Sequence, residues 1–386
     1  MLRLFYNATI NSYNCSKLCY VLINIHQRVD WPHFTWDTVR LVSLLGKVNK
    51  QQGRITGLMQ GLGFDLQNEA ILETLTLDAI KTSAIEGEKL NPEDVRSSIA
   101  KKLGMNIGGA YPKDRHTDGL VDMLLDASRN YQSPVTKKRL CAWHFGLFPT
   151  GTNNFGPIKT GDYRDTEMAV TSSRLDKEEI FFEAPESNRI KEEMNQFLNW
   201  INSDSGIDPI LKAAQAHLWF ITIHPFDDGN GRIARAITDL LLARSDGSHQ
   251  RFYSMSAQIE KVRKEYYLVL ERTQKRSLEI TDWMQWFLET LMQALANADK
   301  TLEQVLNKQK FWNANRNLAL NDRQIKVLNK LLDGFEGNIQ RNKYGRIAQT
   351  SKDTAFRDLQ DLVNKGLLTP SGKGRGAGYQ LIYPNS

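Results

Sequence analysis

Cysteine is nearly absent: Cys15, Cys19 and Cys141 are the only three in 386 residues. Three thiols cannot build a disulfide framework, and none stands at metal-site spacing from a histidine, so a disulfide-stapled scaffold and a zinc-finger type of site are both excluded. A reducing cytoplasm is the simplest setting for such a chain. Cys141 lies in the apolar run Leu140 to Phe148 and reads as a core residue, not a nucleophile. His144 and His217, in similar helical runs, read as structural. Long apolar runs are also missing. No stretch approaches the roughly 18 to 20 residues of a membrane span, and Leu18 to Ile25 is short and interrupted by Asn24. Met1 to Gln27 lacks the basic, apolar and small-residue order of a signal peptide. With 41% hydrophobic residues, the chain has enough apolar material for ordinary cores, and its length predicts a soluble globular protein of more than one domain.

What the chain does have is concentrated in His224-Pro225-Phe226-Asp227-Asp228-Gly229-Asn230-Gly231-Arg232-Ile233-Ala234-Arg235. The apolar runs Ile210 to Ile223 and Ile233 to Ala243 on either side read as buried helices, so the motif is a loop ending at a helix start. Unpaired backbone N–H groups and the positive end of the helix dipole meet there, which suits an anion. Gly229 and Gly231 lack the Cβ atoms that would keep phosphate oxygens from the backbone amides, and Asn230 offers a side-chain donor. Arg232 and Arg235 share a face of the first helical turn and present forked donors to a polyphosphate. Asp228 suits magnesium, which takes one or two carboxylates and completes its shell with phosphate oxygens and water. His224, neutral near pH 7, can accept a proton from an incoming hydroxyl.

This segment resembles the His-x-Phe-x-Asp/Glu-Gly-Asn-Gly-Arg-x-x-Arg signature of Fic-domain proteins at every position. The resemblance implies an adenylyltransferase that moves AMP from ATP to a protein hydroxyl, with ATP and Mg2+ as substrate and cofactor. It implies His224 as the general base and Phe226 as the core anchor under the loop. Asp228 would be the magnesium ligand, Gly229 to Gly231 the anion hole, and Arg232 and Arg235 the holders of the nucleotide phosphates.

A second motif lies far upstream, at Thr82-Ser83-Ala84-Ile85-Glu86-Gly87. Leu75, Ala79, Thr82 and Glu86 fall at helical spacing, so Thr82 and Glu86 share a face, and Gly87 ends the helix. The segment is similar to the inhibitory Ser/Thr-x-x-x-Glu-Gly/Asn motif of Fic proteins. That likeness implies a pairing of Glu86 with Arg235, in the place of the ATP γ-phosphate, leaving ATP in a pose unsuited to in-line attack.

The expected fold class is mainly α, in four parts. Residues 1–23 carry no interpretable pattern. Residues 24–104 resemble the helical domain that precedes many bacterial Fic domains, with Trp31 and Trp36 as packing anchors. Residues 111–310 would form a mostly helical Fic core. Its exception is Gly161 to Thr171, which reads as a short extended pair; the family likeness makes it the flap that docks a target by strand addition, with Thr166, Glu167 and Met168 as contacts. Residues 320–386 look like a winged helix-turn-helix, with Ile325, Leu328, Leu331 and Leu332 on one helix and Ser351 capping the third.

Charge is local. From Arg316 onward 12 Lys and Arg stand against 6 Asp and Glu, so this segment carries the whole chain's formal +6. Lys352, Thr354 and Arg357 near the start of the third helix are candidates for a DNA groove, and Lys373 and Arg375 on the glycine-rich wing for phosphates. Two functions follow. One is a protein adenylyltransferase acting on a Ser, Thr or Tyr hydroxyl of a target or of itself. The other is a DNA-binding regulator whose core senses nucleotide or modifies only itself. A membrane is not among the expected partners; a homodimer is allowed.

Overall fold

The computed structural model describes residues 2–5, 23–61, 64–105, 115–172, 180–332, 335, 337–372 and 377–383. They are mainly helical. A short strand β1, Leu2–Phe5, precedes three helices: α1, Thr38–Gln60; α2, Phe64–Ile85; and α3, Pro92–Lys102. Asp37 caps α1 by accepting from the amides of Val39 and Arg40, and Asn91 caps α3 just before its first-turn proline. Next come α4, Arg115–Arg129, and α5, Lys137–Leu147, then the small hairpin of β2, Thr152–Asn153, and β3, Gly156–Pro157. Strands β4, Ala169–Ser172, and β5, Ile180–Glu183, pair antiparallel, and β1 lies antiparallel along β4 with Phe5 opposite Ala169.

The centre of this part is formed by α7, Pro209–Ile223, and α8, Asn230–Asp246, which follow α6, Ile190–Asn202. Every residue of α7 from Ala213 to Ile223 is buried, as is every residue of α8 from Ile233 to Ala243. Helices buried all round belong at the middle of a core, and these two pack on each other, with α6 against α7 and α4, α5 and α1 against α8. Then come α9, Met255–Lys261, α10, Arg263–Gln274, and the long α11, Thr281–Ala314. Trp31 packs edge-on to Phe34 and Trp219, and its indole N–H donates to Glu193 at 2.8 Å.

The chain divides into two compact units, one of Met1–Leu62 with Ile71–Ala298, the other of Gly63–Ala70 with Asp299–Ser386. The second holds α12, Asp322–Leu332, α13, Arg341–Ala348, α14, Lys352–Asn364, and the antiparallel pair β6, Leu368–Ser371, and β7, Gly378–Leu381. Val327, Leu328, Ile339, Tyr344, Leu359, Leu362 and Leu368 are in its core. Asp358 ties three elements together, accepting from Nε and Nη2 of Arg323, from Asn321 and from the Tyr344 hydroxyl. This helix and strand order resembles a winged helix.

One expectation is corrected. Residues 161–168 are not a strand; pairing starts at Ala169. The preceding segment is held instead by bonds to the loop after α7, from the Arg164 amide to the Pro225 carbonyl at 2.9 Å and from the Lys159 amide to Asp227 at 2.8 Å. Ile325, Leu328, Leu331 and Leu332 do share α12, where Ile325 is 37% exposed and Gln324 is buried. Gln324 donates to an Asp361 oxygen on α14 at 2.7 Å, on the same inward face as Val327, Leu328 and Leu331.

Candidate active site

The loop between α7 and α8 begins where a helix is forced to stop. His224 precedes a proline, whose ring disfavours right-handed helical backbone in the residue before it. His224 adopts the left-handed region instead, φ 53 and ψ 58, while its N–H still bonds Phe220. Its Nδ1 lies 3.1 Å from the Ile221 carbonyl. A carbonyl only accepts, so Nδ1 carries the proton and the lone pair is on Nε2. Burial pushes the imidazole pKa down to about 4, against the Ile221 hydrogen bond and with help from Arg164. The ring is therefore neutral at pH 7, the form a base requires.

Phe226 is fully buried and stacks on His144, with centroids 4.3 Å apart. Asn230 accepts from the Phe226 amide at 2.9 Å and donates to the Phe226 carbonyl at 2.7 Å. Both ends of its amide thus close the loop, and the expected side-chain donor to an anion is used on the main chain. Gly229, the residue before α8, has φ +76, and a Cβ there would lie 2.9 Å from the Phe148 ring. Asp228 accepts from the Gly229 amide at 2.6 Å and from Asn153 at 2.8 Å.

The upstream motif meets this loop. At the end of α2 the Glu88 amide bonds the Ser83 carbonyl and the Gly87 amide bonds the Ala84 carbonyl, with Gly87 at φ +89. This Schellman arrangement carries two carboxylates, Glu86 and Glu88, that both reach the first turns of α8. Arg235 donates through Nη2 to Glu86 Oε1 at 2.6 Å and through Nε to Thr82 Oγ1 at 2.7 Å. Arg232 donates to Glu88 Oε2 at 2.9 Å, and its guanidinium lies 4.9 Å from the Phe148 ring centroid. Both guanidinium groups are 2% exposed, whereas Glu86 is 31% and Glu88 24% exposed. Burial alone would raise the Glu86 pKa; Arg235 outweighs it and the carboxyl sits below its usual value. A Cβ on Gly231 would fall 2.2 Å from Glu86 Oε1, so the carboxylate fills the space that this glycine leaves beside the start of α8.

His224, Asp228, Gly229, Asn230, Gly231, Arg232 and Arg235 are thus gathered on one loop and helix start, with Thr82, Glu86 and Gly87 brought to it by α2. The flap candidates are placed differently from one another. Met168 is buried with Phe182 and Ala184, Glu167 accepts from the Ser187 amide and hydroxyl, and the Thr166 carbonyl accepts from Arg164. In the second unit Lys352 and Arg357 are exposed on α14, while Thr354 is half-buried and bonded to Ser351. Lys373 and Arg375 lie outside the described residues. Sequence reasoning missed Glu88, Arg164 and Asn153. For Glu88 a signal existed: it stands two residues beyond Glu86, across the glycine turn.

Residues 24–105 match a domain of unknown function, DUF4172, and residues 134–242 match the Fic/DOC family. The chain thus carries a Fic domain over residues 134–242. Its Fic domain is related to known Fic/Doc adenylyltransferases: 33% identity over 180 residues to protein adenylyltransferase fic-1 of Caenorhabditis elegans, covering 45% of this chain and 32% of that protein. With the protein adenylyltransferase Fic of Culex quinquefasciatus the identity is 26% over 171 residues, covering 42% and 30%. The chain thus spans about a third of the length of these curated relatives. The crystal structure of a Fic family protein from Desulfovibrio desulfuricans G20 superposes over 90% of this chain and 97% of that one, with TM-score 0.53 and 20% identity, which shows a shared fold. Among the described residues no helix is long and apolar enough to cross a membrane, and no three His, Cys, Asp or Glu side chains cluster as a metal site.

Proposed function

We propose that this Fic-domain protein transfers AMP from ATP to a Ser, Thr or Tyr hydroxyl of a protein, and that Glu86 restrains it. The observation that carries the reading is the Glu86 carboxylate lodged beside Gly231 and bonded to Arg235 at 2.6 Å. A carboxylate accepted there marks the helix start as an anion site, and one that a phosphate would contest.

The roles follow from the residues. The target hydroxyl oxygen attacks the α-phosphorus, its proton passes to Nε2 of His224, and the bond to the departing pyrophosphate breaks. The backbone at Gly229 to Gly231 steadies charge on the phosphate in transit. Arg232 and Arg235 hold the phosphates once Glu88 and Glu86 yield them. Asp228 fits the magnesium that accompanies ATP: its carboxylate lies on the loop, next in sequence to that of Asp227, and each oxygen has lone-pair capacity beyond its one hydrogen bond. Bound there, the ion would offset phosphate charge.

The test is transfer of label from ATP in the presence of magnesium. AMP should appear on a target or on the protein itself, and His224→Ala should lower the rate by about 10²- to 10⁴-fold, the usual contribution of a general base. Equal labelling by parent and variant would overturn the assignment.

A second reading rests on a separate observation, the exposure of Lys352 and Arg357 on α14 in a unit that resembles a winged helix. It makes the C-terminal unit a DNA-binding module and the Fic domain its nucleotide-responsive part.

A further inference from the structure

Arg164 plays no part in the roles given above, yet it is 2% exposed and spreads its guanidinium over three carbonyls from three segments. Nε donates to the carbonyl of His224 at 2.8 Å, Nη1 to that of Thr166 at 2.6 Å and Nη2 to that of Pro185 at 2.6 Å. The Arg164 amide adds a bond to the Pro225 carbonyl at 2.9 Å. Thr166 lies just before β4 and Pro185 just after β5, so two arms of the fork hold both feet of the strand pair and the third holds the histidine. We propose that Arg164 is a positioning residue that fixes His224 and the β4–β5 hairpin to each other. The proposal rests on the transfer reading above and adds a residue to it.

The physical case has three parts. The His224 carbonyl is at a helix end, where intrahelical donors run out, and a cation there also meets the negative end of the dipole of α7. Burying a guanidinium is costly unless its donors are used, and here every arm of the fork ends on a carbonyl. Its geometry is specific too. A planar fork reaches three fixed acceptors in a way the compact lysine ammonium cannot. The hairpin and the His224 backbone are therefore tied through one side chain: a target segment held by the hairpin would be carried in fixed position towards Nε2, which is what proton transfer within hydrogen-bond reach demands. The charge serves the base as well. The groups whose charges act on His224 are Arg164 and Glu86; the first lowers its pKa and the second raises it.

The test uses the full chain in a Glu86→Gly background, with Arg164→Lys, which keeps the charge but loses the fork, and Arg164→Gln, which loses both. Four quantities are measured: melting temperature, ATP affinity by calorimetry, kcat against KM for transfer, and the His224 imidazole pKa by NMR titration. We expect ATP affinity within twofold of the parent, kcat lower by about 10²-fold in both variants, as a displaced reacting group implies, and a His224 pKa that rises in Arg164→Gln more than in Arg164→Lys. An unchanged kcat in a folded Arg164→Lys, or ATP affinity falling in parallel with kcat, would overturn the proposal and leave a general structural role. If the parent transfers no AMP, the transfer reading fails by itself, and the NMR arm still decides: a His224 pKa identical in all three proteins refutes the link to Arg164.

Discussion

Glu88 Oε2 lies 2.9 Å from Nη1 of Arg232, so the two arginines of the Fic loop are each held by a different carboxylate from the turn after α2. The contacts are unequal. Glu86 also fills the space beside Gly231, whereas Glu88 shares Arg232 with His116 at 3.5 Å. Removing Glu86 should therefore matter more. Glu86→Gly is expected to raise AMP transfer by about 10²-fold, the scale of a misplaced reacting centre. Glu88→Ala should raise ATP affinity by about two- to fivefold, as for a partly solvated ion pair. Calorimetry and label transfer on the two single variants check both; a Glu88→Ala protein with unchanged ATP affinity removes Glu88 from the restraint.

Gly229 is a second point of leverage. Its φ of +76 is disfavoured for an L side chain by about 1 to 2 kcal/mol, and an added Cβ would also press on the Phe148 ring. Gly229→Ala should lower the melting temperature by several degrees, at about 2 to 4 °C per kcal/mol for a unit of this size. A melting curve superimposable on the parent's would show that the loop has a relaxed alternative.

The pH dependence of transfer follows from burial of the base. With the His224 pKa pushed down to about 4, the imidazole stays neutral as pH falls from 7 through the ordinary histidine value near 6.5. The base limb of the rate profile should therefore be flat across that interval and fall only as pH approaches about 4, where the ring protonates and cannot accept the hydroxyl proton. A profile of kcat against pH with its acid midpoint near 6.5 would contradict a buried neutral base.

The DNA reading makes its own demand. Arg357 is exposed on α14, on the helix whose first turn also carries Lys352. If the C-terminal unit contacts phosphates through it, Arg357→Ala should weaken duplex binding and reduce the slope of log affinity against log salt by about 1. Binding of the full chain to duplex DNA that does not respond to salt ends this reading.

The local geometry of the loop was legible from residues in sequence because it is short-range. A proline after His224 stops one helix, glycines open the next, and three-residue spacing puts Arg232 and Arg235 on one face. The position of the strand pair was not legible, because the segment before it is held by side-chain and backbone bonds to a distant loop, with no ladder whose alternation could be read. Ile325 fits the apolar period of α12 as well as its neighbours do. The inward face is the one that carries Val327, Leu328 and Leu331, with Gln324 beside them bonded to Asp361.

By itself, then, the sequence determined which groups are present and how each is set locally: an imidazole at a forced helix end, a glycine-lined helix start, and a pair of guanidinium groups. Tertiary structure decided their pairing. Glu86 reaches Arg235 across 149 positions and Glu88 reaches Arg232 across 144, Asn230 turns to the main chain of Phe226, and Arg164 takes hold of His224. The reason is physical. Backbone preferences act over a few residues, whereas the meeting of two side chains from distant segments depends on how whole helices pack, and that is settled only when the core closes.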